Sequence, residues 1–271
     1  MELRNSTALV LGGAKGIGKA IGFALARAGA DVILTWYDWP EEAAAMQEEL
    51  AQLPGNHLAV QADLREPEAI ARLFETIRSR YGRLHILINN IERGGMPVVH
   101  GEYTPAQWEL EMATTLKAKW WVMHHGLPLI KASGGGAVAV LSSIAGLVGR
   151  SGPAGLLFND GYSAANRAVS SFTETWAREG APTVRVNELM LGLVESRHGE
   201  GTRGWDLLTE KQRHALRDHI LLKRTGTIAE VVKAILFLLT DATYLTGSVI
   251  RMDGGYTLGG EAVPPMPEGV E

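Results

Sequence analysis

Three glycines near the N-terminus are spaced so that they could bind a phosphate. Gly12, Gly16 and Gly18 follow an apolar run at 7–11 in the pattern Gly-x-x-x-Gly-x-Gly and lead directly into a helical pattern. A glycine-rich turn between a strand and a helix leaves backbone N–H groups free at a helix N-terminus, where the helix dipole also favours negative charge. Such a turn binds the pyrophosphate of a dinucleotide, and its place at the first strand-to-helix turn strengthens that interpretation.

Other side chains capable of chemistry form weaker patterns. The chain has no cysteine, which excludes disulfides, thiolate nucleophiles and cysteine-bound metals. Its eight histidines show no His-x-x-x-His spacing and no accompanying acidic cluster, so we predict no metal site. Ser143 lacks the Gly-x-Ser-x-Gly elbow of a hydrolase nucleophile. A dinucleotide site is therefore the main chemical prediction.

Short apolar runs alternate with helical patterns along most of the chain. Several runs are apolar almost throughout, as at 86–88 and 138–141, which is typical of strands covered on both faces in a parallel sheet. Pro67 and Pro105 indicate the first turns of two helices. The predicted strands are 7–11, 31–36, 57–62, 84–89, 137–142, 184–189 and 248–252. The predicted helices are 16–28, 40–53, 67–81, 105–131, 162–179 and 229–239. This alternation predicts an α/β Rossmann fold: one domain over 1–271, with a doubly wound, mostly parallel sheet of about seven strands.

Composition and charge narrow the possible partners and location. Hydrophobic residues make up 46% and charged residues 21%, as in an ordinary globular protein. The net charge of −4 gives no electrostatic case for nucleic acid or an anionic membrane. We find no N-terminal apolar segment of the export type and no run of 18 apolar residues. We therefore expect a cytoplasmic protein with neither nucleic acid nor membrane as a partner.

The least regular region is 192–226, which contains a charged, helical piece at 206–218. It follows the sixth predicted strand, at the carboxyl edge where ligands bind in open α/β sheets. We predict that this segment is a substrate lid, and a surface insertion without function is the alternative. The tail at 260–271 contains three prolines and is predicted to be irregular.

Seven short motifs occur in one order along 3–258, and together they resemble the short-chain dehydrogenase/reductase family. The motifs are Gly12-x-x-x-Gly16-Ile17-Gly18, Asp63-Leu64, Asn89-Asn90, Ser142-Ser143, Tyr162-Ser163-Ala164-Ala165, Val186-Asn187 through Gly192, and Asp253-Gly254-Gly255. The resemblance implies the same Rossmann fold, an NAD or NADP cofactor and a small-molecule substrate. It also implies a homo-oligomer, a dimer or a tetramer, in which two helices pair the subunits. Those helices carry large aromatic side chains: Trp108, Trp120, Trp121 and Trp176.

The resemblance assigns the cofactor to named positions. The glycine turn would hold the pyrophosphate, Asp63 would accept a hydrogen bond from the adenine amino group, and Asn90 would lie against the adenosine ribose. The full set of cofactor-binding residues implied in this way is Gly12, Lys15, Gly16, Ile17, Gly18, Tyr37, Asp63, Leu64, Asn90, Gly192 and Val194.

The end of the second strand bears on the choice between NAD and NADP. A carboxylate there bonds the ribose 2′-OH and repels a 2′-phosphate, but Asp38 comes one or two places too late. Tyr37 occupies the position where an NADP-preferring member of the family often has Arg, Ser or Thr. Lys15 lies in the glycine turn, where the family's NADP users often carry a basic residue. We expect NADP as the preferred cofactor, with NAD as the alternative.

The family's catalytic set is only partly present. Its members use a Tyr as general acid/base and a Lys four residues later that lowers the pKa of the Tyr. They also use a Ser that bonds the substrate oxygen and an upstream Asn that anchors a water to the Lys. This chain retains Ser143 and Tyr162, which the resemblance assigns as catalytic. It has Asn166 at the Lys position and Thr115 at the Asn position.

The loss of the lysine limits what Tyr162 can do. Moving a Tyr pKa from about 10 to near 7 takes roughly 4 kcal/mol of differential stabilisation. One ammonium about 4 Å away supplies a term of that size at an effective dielectric near 20. Asn166 brings no charge, so we expect Tyr162 to stay protonated at neutral pH. It would then serve as a proton donor in reduction and be a poor base for alcohol oxidation.

Three nearby cations are candidates to replace the lysine, namely Lys117, Lys119 and Arg167, and Glu92 is the candidate for an alternative acid. Arg167 lies about 100° around the helix from the Tyr162 face. The segment between Ser143 and Tyr162 is also longer than is usual in the family, and it must either close over the pocket or loop away from it.

Two functions remain open. The first is an NAD(P)H-dependent reductase of a carbonyl or activated double bond, and the second is a catalytically degenerate dinucleotide-binding protein that acts as a sensor or structural partner.

Overall fold

A seven-stranded parallel sheet forms the centre of the molecule. The computed structural model describes residues 1–91, 104–196, 205, 208–259, 263, 264 and 266. Its strands are β1 (Thr7–Val10), β2 (Asp31–Trp36), β3 (Leu58–Gln61), β4 (Ile86–Asn89), β5 (Gly136–Ser143), β6 (Val184–Leu191) and β7 (Val249–Met252). They lie in the order β3-β2-β1-β4-β5-β6-β7, and every neighbouring pair is parallel. The predicted fold class is confirmed.

The strand order reverses between β1 and β4, and this reversal positions the candidate site. β1 pairs with β2 on one side and with β4 on the other. The connections that leave β1 and β4 therefore run to opposite halves of the sheet and leave a crevice at the carboxyl ends of these two strands. The glycine turn follows β1 directly, and Asn90 follows β4 directly.

Helices cover both faces of the sheet. They are α1 (Gly16–Arg27), α2 (Pro40–Leu50), α3 (Pro67–Tyr81), α4 (Pro105–Glu111), α5 (Ala118–Ala132), α6 (Ala145–Val148), α7 (Asp160–Gly180), α8 (Glu210–His219) and α9 (Ile228–Thr240). One apolar cluster packs α1 and α9 against the sheet, and a second packs α3, α5 and α7 against the opposite face. Along β5, Ala137 and Ala139 belong to the first cluster, while Val138 and Val140 belong to the second. Burial on both faces explains the nearly continuous apolar strands.

The predicted helix at 105–131 is divided in the structure. α4 ends at Glu111, a π-helical segment covers Met112–Lys117, and α5 then begins at Ala118. The start of α4 has the predicted proline in its first turn and a capping box between Thr104 and Gln107. A π-helical turn keeps the chain helical, so apolar periodicity gives no signal for it.

The segment at 192–226 contains α8. This helix begins at Glu210 rather than at 206, because Thr209 and Gln212 form a capping box there. A single parallel bridge joins Val194 to Gly226, which ties the two ends of the segment together. Its role as a lid stays a prediction, and residues 197–204, 206 and 207 lie outside the described part.

In the C-terminal tail, residues 263, 264 and 266 have no regular structure, and the remainder of 260–271 is not among the described residues.

Within the described ranges, no helix combines the length and the apolar character that a membrane crossing needs.

Candidate active site

Three positions at the turn after β1 require glycine. Gly12 and Gly16 have φ of +68° and +59°, in the left-handed region that L side chains rarely adopt. A Cβ at Gly18 would lie 2.1 Å from the carbonyl oxygen of Gly12, and a Cβ at Gly12 would lie 2.8 Å from that of Asn90. The predicted glycine pattern therefore corresponds to close backbone packing at the carboxyl ends of β1 and β4.

The same turn exposes the N-terminus of α1. The helix begins at Gly16, so Ile17 and Gly18 lie in its first turn. Its N-cap residue, Lys15, makes no side-chain capping bond, and the first turn contains no acidic residue. First-turn N–H groups without a capping side chain, together with a glycine cradle, suit the pyrophosphate of a dinucleotide. These residues fit the cofactor that the sequence predicts.

The turn is also tied to its neighbours. The Asn90 side chain donates a hydrogen bond to the Leu11 carbonyl at 3.2 Å. The backbone N–H of Gly12 donates to Thr35 Oγ1 at 3.2 Å, which joins the turn to the end of β2. A Cβ at Gly16 would lie 3.4 Å from Ser196 Oγ, so the segment after β6 approaches the same turn.

A cluster of polar side chains lies beyond β2 and β3. Arg65 donates to both oxygens of Asp63, from Nε at 2.8 Å and from Nη2 at 2.5 Å, and its Nη2 also reaches the Tyr37 hydroxyl at 3.3 Å. The hydrogen bonds from Arg65 lower the pKa of Asp63, and those to Asp63 raise the pKa of Arg65. The structure thus brings Tyr37 and Asp63 together, next to the buried Leu64. Sequence reasoning missed Arg65, although a basic residue two places after Asp63 was a usable signal.

Lys15 contacts the turn that follows β2. Its Nζ lies 3.0 Å from the centroid of the Trp39 ring and 3.4 Å from Glu42 Oε1. Trp39 has φ of +69°, an uncommon conformation for a bulky residue. The side chain of Lys15 is therefore held over the β2–α2 connection rather than over α1.

Asn166 joins the two candidate catalytic residues. Its Oδ1 accepts a hydrogen bond from the backbone N–H of Ser143 at 3.0 Å, and its Nδ2 donates to the Tyr162 carbonyl at 3.0 Å. The Asn166 side chain is fully buried, with 0% exposure. Ser143 Oγ accepts from the Ala145 N–H at 3.1 Å. Asn166, which the resemblance places at the family's lysine position, is therefore a buried, uncharged amide that connects β5 to α7.

The long segment between Ser143 and Tyr162 packs over the tyrosine. Tyr162 is only 2% exposed, and its ring centroid lies 5.9 Å from that of Phe158. Asn159 caps α7 by accepting a hydrogen bond from the Tyr162 N–H at 2.7 Å. An apolar cluster surrounds these residues and includes Ile144, Ala154, Leu157, Met190, Leu193, Trp205, Leu208, Leu216, Ile220 and Tyr256. The segment therefore packs its apolar side chains against Tyr162.

The candidate replacements for the lysine lie in different environments. Lys117 and Arg167 are exposed. Lys119 is fully buried, and its Nζ donates to the carbonyl of Leu141 on β5. Glu92 lies outside the described residues. Each described candidate therefore either faces solvent or donates to the backbone of β5.

A buried carboxylate that sequence reasoning missed lies beside Thr115. Glu111 Oε2 accepts from Thr115 Oγ1 at 3.4 Å, and Glu111 Oε1 accepts from Asn159 Nδ2 at 3.3 Å. The signal available was its position four residues before Thr115, on the same helical face. Glu111 thus links the π-helical segment to the N-cap of α7, three residues before Tyr162.

The remaining predicted residues lie at the carboxyl end of β6. The Gly192 N–H donates to the Met252 carbonyl at 2.9 Å, and a Cβ at Gly192 would lie 2.6 Å from the Cα of Asp253. Val194 is buried and forms the bridge to Gly226. No three of the described His, Asp and Glu side chains are grouped so that they could hold a metal ion.

Comparison with known proteins adds an independent line of evidence. A family model described as enoyl-(acyl carrier protein) reductase matches residues 12–257. The chain is 31% identical to the cyclohexanol dehydrogenase of Acinetobacter sp. (strain SE19) over 258 residues, which cover 94% of this chain and 96% of that protein. It is also 31% identical to the 3-oxoacyl-acyl-carrier-protein reductase FabG of Thermotoga maritima over 262 residues, covering 95% of this chain and 100% of the relative.

Solved structures give the same result. A short-chain type dehydrogenase/reductase from Mycobacterium ulcerans superposes with a TM-score of 0.81 at 26% identity, covering 96% of this chain and 92% of that one. By their names, these relatives are oxidoreductases, either dehydrogenases or reductases. From the matched family model, the full-length relatives and the shared fold, we conclude that the chain belongs to the short-chain dehydrogenase/reductase family.

Proposed function

We propose that the chain is an NAD(P)H-dependent oxidoreductase that reduces a carbonyl group or an activated double bond in a small-molecule substrate. The observation that carries the proposal is the Asn166 bridge, because it links Ser143 to the helix that carries Tyr162 despite the long intervening segment. Ser143 ends β5, on the same edge of the parallel sheet as the glycine turn, and Tyr162 lies in the first turn of α7.

The glycine turn, the first turn of α1 and Asn90 would hold the dinucleotide, with Asp63 and Leu64 toward its adenine and Gly192 and Val194 toward its nicotinamide. When bound, the dihydronicotinamide supplies a hydride to the substrate carbon. The residues of this chain then have to orient the substrate oxygen and protonate it. Lys15 in the glycine turn and Tyr37 after β2 support NADP(H) as the preferred cofactor, with NAD(H) as the alternative.

Ser143 is suited to orient the oxygen of the substrate. A hydroxyl has one donor and two acceptor sites, and Ser143 Oγ already accepts from the Ala145 N–H. That bond leaves the hydroxyl proton to donate to the substrate oxygen. Tyr162 would then transfer its phenolic proton to the same oxygen and would be protonated again before the next turnover.

Acid catalysis of this kind contributes typically 10²–10⁴-fold to a rate. Because Asn166 brings no charge to the predicted lysine position, we propose that Tyr162 works as a proton donor in reduction and poorly as a base in oxidation. A protonated tyrosine suits reactive acceptors such as quinones and activated ketones.

The direct test combines binding with turnover. NADPH and NADH are titrated by fluorescence, and oxidation is followed by absorbance with cyclohexanone, a 3-oxoacyl thioester, quinones and enones. We expect binding and slow reduction of at least one acceptor, with a loss of about 10²-fold or more in Tyr162→Phe. Binding without oxidation by any acceptor would contradict the reductase.

A specific observation favours the second candidate function, a dinucleotide-binding protein with little turnover that acts as a sensor or structural partner. The lysine and its upstream asparagine are replaced together, by Asn166 and Thr115, so one functional unit is lost while the glycine turn is retained.

We further propose a homo-oligomer, a dimer or a tetramer. The half-exposed Trp108 and Trp120 support this, because exposed aromatic side chains suit subunit contacts.

A further inference from the structure

Two cations flank the turn that follows β2, each placed over an aromatic ring. The guanidinium carbon of Arg65 lies 5.3 Å from the Tyr37 ring centroid, and Lys15 Nζ lies 3.0 Å from that of Trp39. Tyr37 is 44% exposed, so the pair it forms with Arg65 faces solvent. In the sequence, Tyr37 and Trp39 lie on either side of Asp38.

Arg65 is held in a fixed orientation. Its Nε and Nη2 atoms form a bidentate contact with the Asp63 carboxylate, and Nη2 also donates to the Tyr37 hydroxyl. A guanidinium has five N–H donors, and those on Nη1 have no acceptor among the described residues. The Arg65 side chain is 33% exposed, so these donors are accessible to a ligand.

This cation lies close to the phosphate-binding turn. Gly12 and Gly13 donate to the side chain and the carbonyl of Thr35, near the end of β2. Tyr37 is two residues further on, and its carbonyl accepts a bond from Gln61 of β3. In a Rossmann fold, residues that follow the second strand contact the adenosine ribose when the pyrophosphate lies at the glycine turn, so Tyr37 and its partner Arg65 would lie beside that sugar.

We propose that Arg65, supplied from the β3–α3 connection, is a specificity-determining residue that binds an additional phosphate on the adenosine ribose. This inference rests on the proposed function and deepens it, because it assigns the selectivity for NADP(H) chiefly to Arg65. Lys15 is the weaker partner, since Glu42 occupies one of its donors and the incoming phosphate must compete for it. Arg65 needs no such release, because Asp63 uses a different part of the guanidinium.

Nucleotide fragments test the inference without any turnover. Adenosine 2′,5′-bisphosphate and 5′-AMP differ only in the 2′-phosphate, and calorimetry gives the ratio of their dissociation constants. We expect the wild-type protein to prefer the bisphosphate and Arg65→Met to reduce that preference by about tenfold or more, as for a hydrogen bond to a charged group. Arg72→Met, an exposed arginine on α3, is the matched control and should leave the ratio unchanged.

A second variant acts in the opposite direction. Glu42→Gln removes the carboxylate that competes for Lys15, so it should raise the affinity for the bisphosphate and leave that for 5′-AMP unchanged. Such an increase would show that the additional phosphate lies within reach of Lys15, at the site proposed for Arg65. Thermal unfolding of each variant shows whether the fold is intact, and the wild-type ratio of the two affinities provides a test even if Arg65→Met unfolds.

The outcomes separate this inference from the proposed function. An unchanged ratio in folded Arg65→Met overturns the role of Arg65, and so does a wild-type protein that binds 5′-AMP as tightly as the bisphosphate. If NADH then binds and is oxidised, the proposed reductase stands with NAD(H) as its cofactor. If neither NADPH nor NADH binds, the proposed function fails as well.

Discussion

The backbone N–H of Ser143 donates a hydrogen bond to the side-chain oxygen of Asn166 at 3.0 Å, across 23 residues of sequence. The Nδ2 atom of the same amide donates to the carbonyl of Tyr162, one helical turn earlier. An amide meets both requirements because it carries an acceptor and a donor, whereas an ammonium carries donors only. In this chain, residue 166 therefore connects β5 to α7.

Replacing Asn166 with leucine tests that connection. The Ser143 N–H would lose its buried acceptor, so we expect the free energy of unfolding to fall by about 1–3 kcal/mol. Urea denaturation followed by circular dichroism measures the change. Arg167→Ala, at an exposed position on the same helix, is the control and should change stability little. A loss no larger than that of the control would contradict the structural role of the bridge.

Restoring the family's lysine has a different expected outcome. Asn166→Lys supplies a charge beside Tyr162 but removes the acceptor of the Ser143 N–H. We expect faster reduction and a gain in alcohol oxidation above neutral pH, together with lower stability. Rates measured as a function of pH check this, with Asn166→Gln as the uncharged control. If Asn166→Lys folds and its pH profile matches that of Asn166→Gln, the missing cation was not the limiting defect.

The fold and the site were not equally predictable from the sequence. Doubly covered strands and glycine turns are local signals, and they sufficed for the parallel sheet and for bounds such as Asp31–Trp36 and Pro67–Tyr81. The contacts of Arg65 and Glu111 depend on how separate elements pack. A single charged residue carries no periodic signal, and its partner becomes known only once the elements are placed in three dimensions.

The sequence predicts an uncharged Asn166 at the family's lysine position, but it does not predict the contacts of this side chain. Its hydrogen bond from the Ser143 N–H joins a helix to a strand 23 residues away. Likewise, the sequence leaves the direction of the long segment before Tyr162 open, and in the structure its apolar side chains pack around that tyrosine.

A buried carboxylate behind the site makes stability depend on pH. Glu188 on β6 accepts hydrogen bonds from Ser142 and from Ser170, the latter at 3.1 Å, and its Oε2 has no partner among the described residues. Burial raises the pKa of Glu188 above its ordinary value of 4.5, and these serines and the charge of Lys119 oppose that rise. The folded protein therefore holds this proton more tightly than the unfolded chain does.

The stability supplied by this proton should be fully present below about pH 4.5 and should be lost as pH rises to the raised folded pKa. Within that window the Glu188 contribution has a slope of at most about 1.4 kcal/mol per pH unit. Glu188→Gln keeps an acceptor for both serines and should remove this part of the slope, as measured by urea denaturation at a series of pH values. Glu75→Gln, at an exposed position on α3, should keep it. Parallel profiles for wild type and Glu188→Gln would show that the carboxyl does not titrate in this range.

The phosphate-binding role of the glycine turn can be tested with a single methyl group. In Gly18→Ala the new Cβ would lie 2.1 Å from the Gly12 carbonyl oxygen and 2.8 Å from the Asn90 side-chain nitrogen, so the turn must move. We expect the affinity for NADPH to fall at least about tenfold, which corresponds to 1.4 kcal/mol of binding free energy. Calorimetry measures the affinity, and thermal unfolding shows that the variant is folded.

Gly226→Ala is the matched control for this test, because its Cβ would meet Val194 at an ordinary contact distance of 3.6 Å. It should bind NADPH as the wild type does. If folded Gly18→Ala also binds like the wild type, the pyrophosphate does not lie against this turn. The free N–H groups of α1 would then have to be satisfied by solvent alone, and the assignment of Gly12, Gly16 and Gly18 to the cofactor would be wrong.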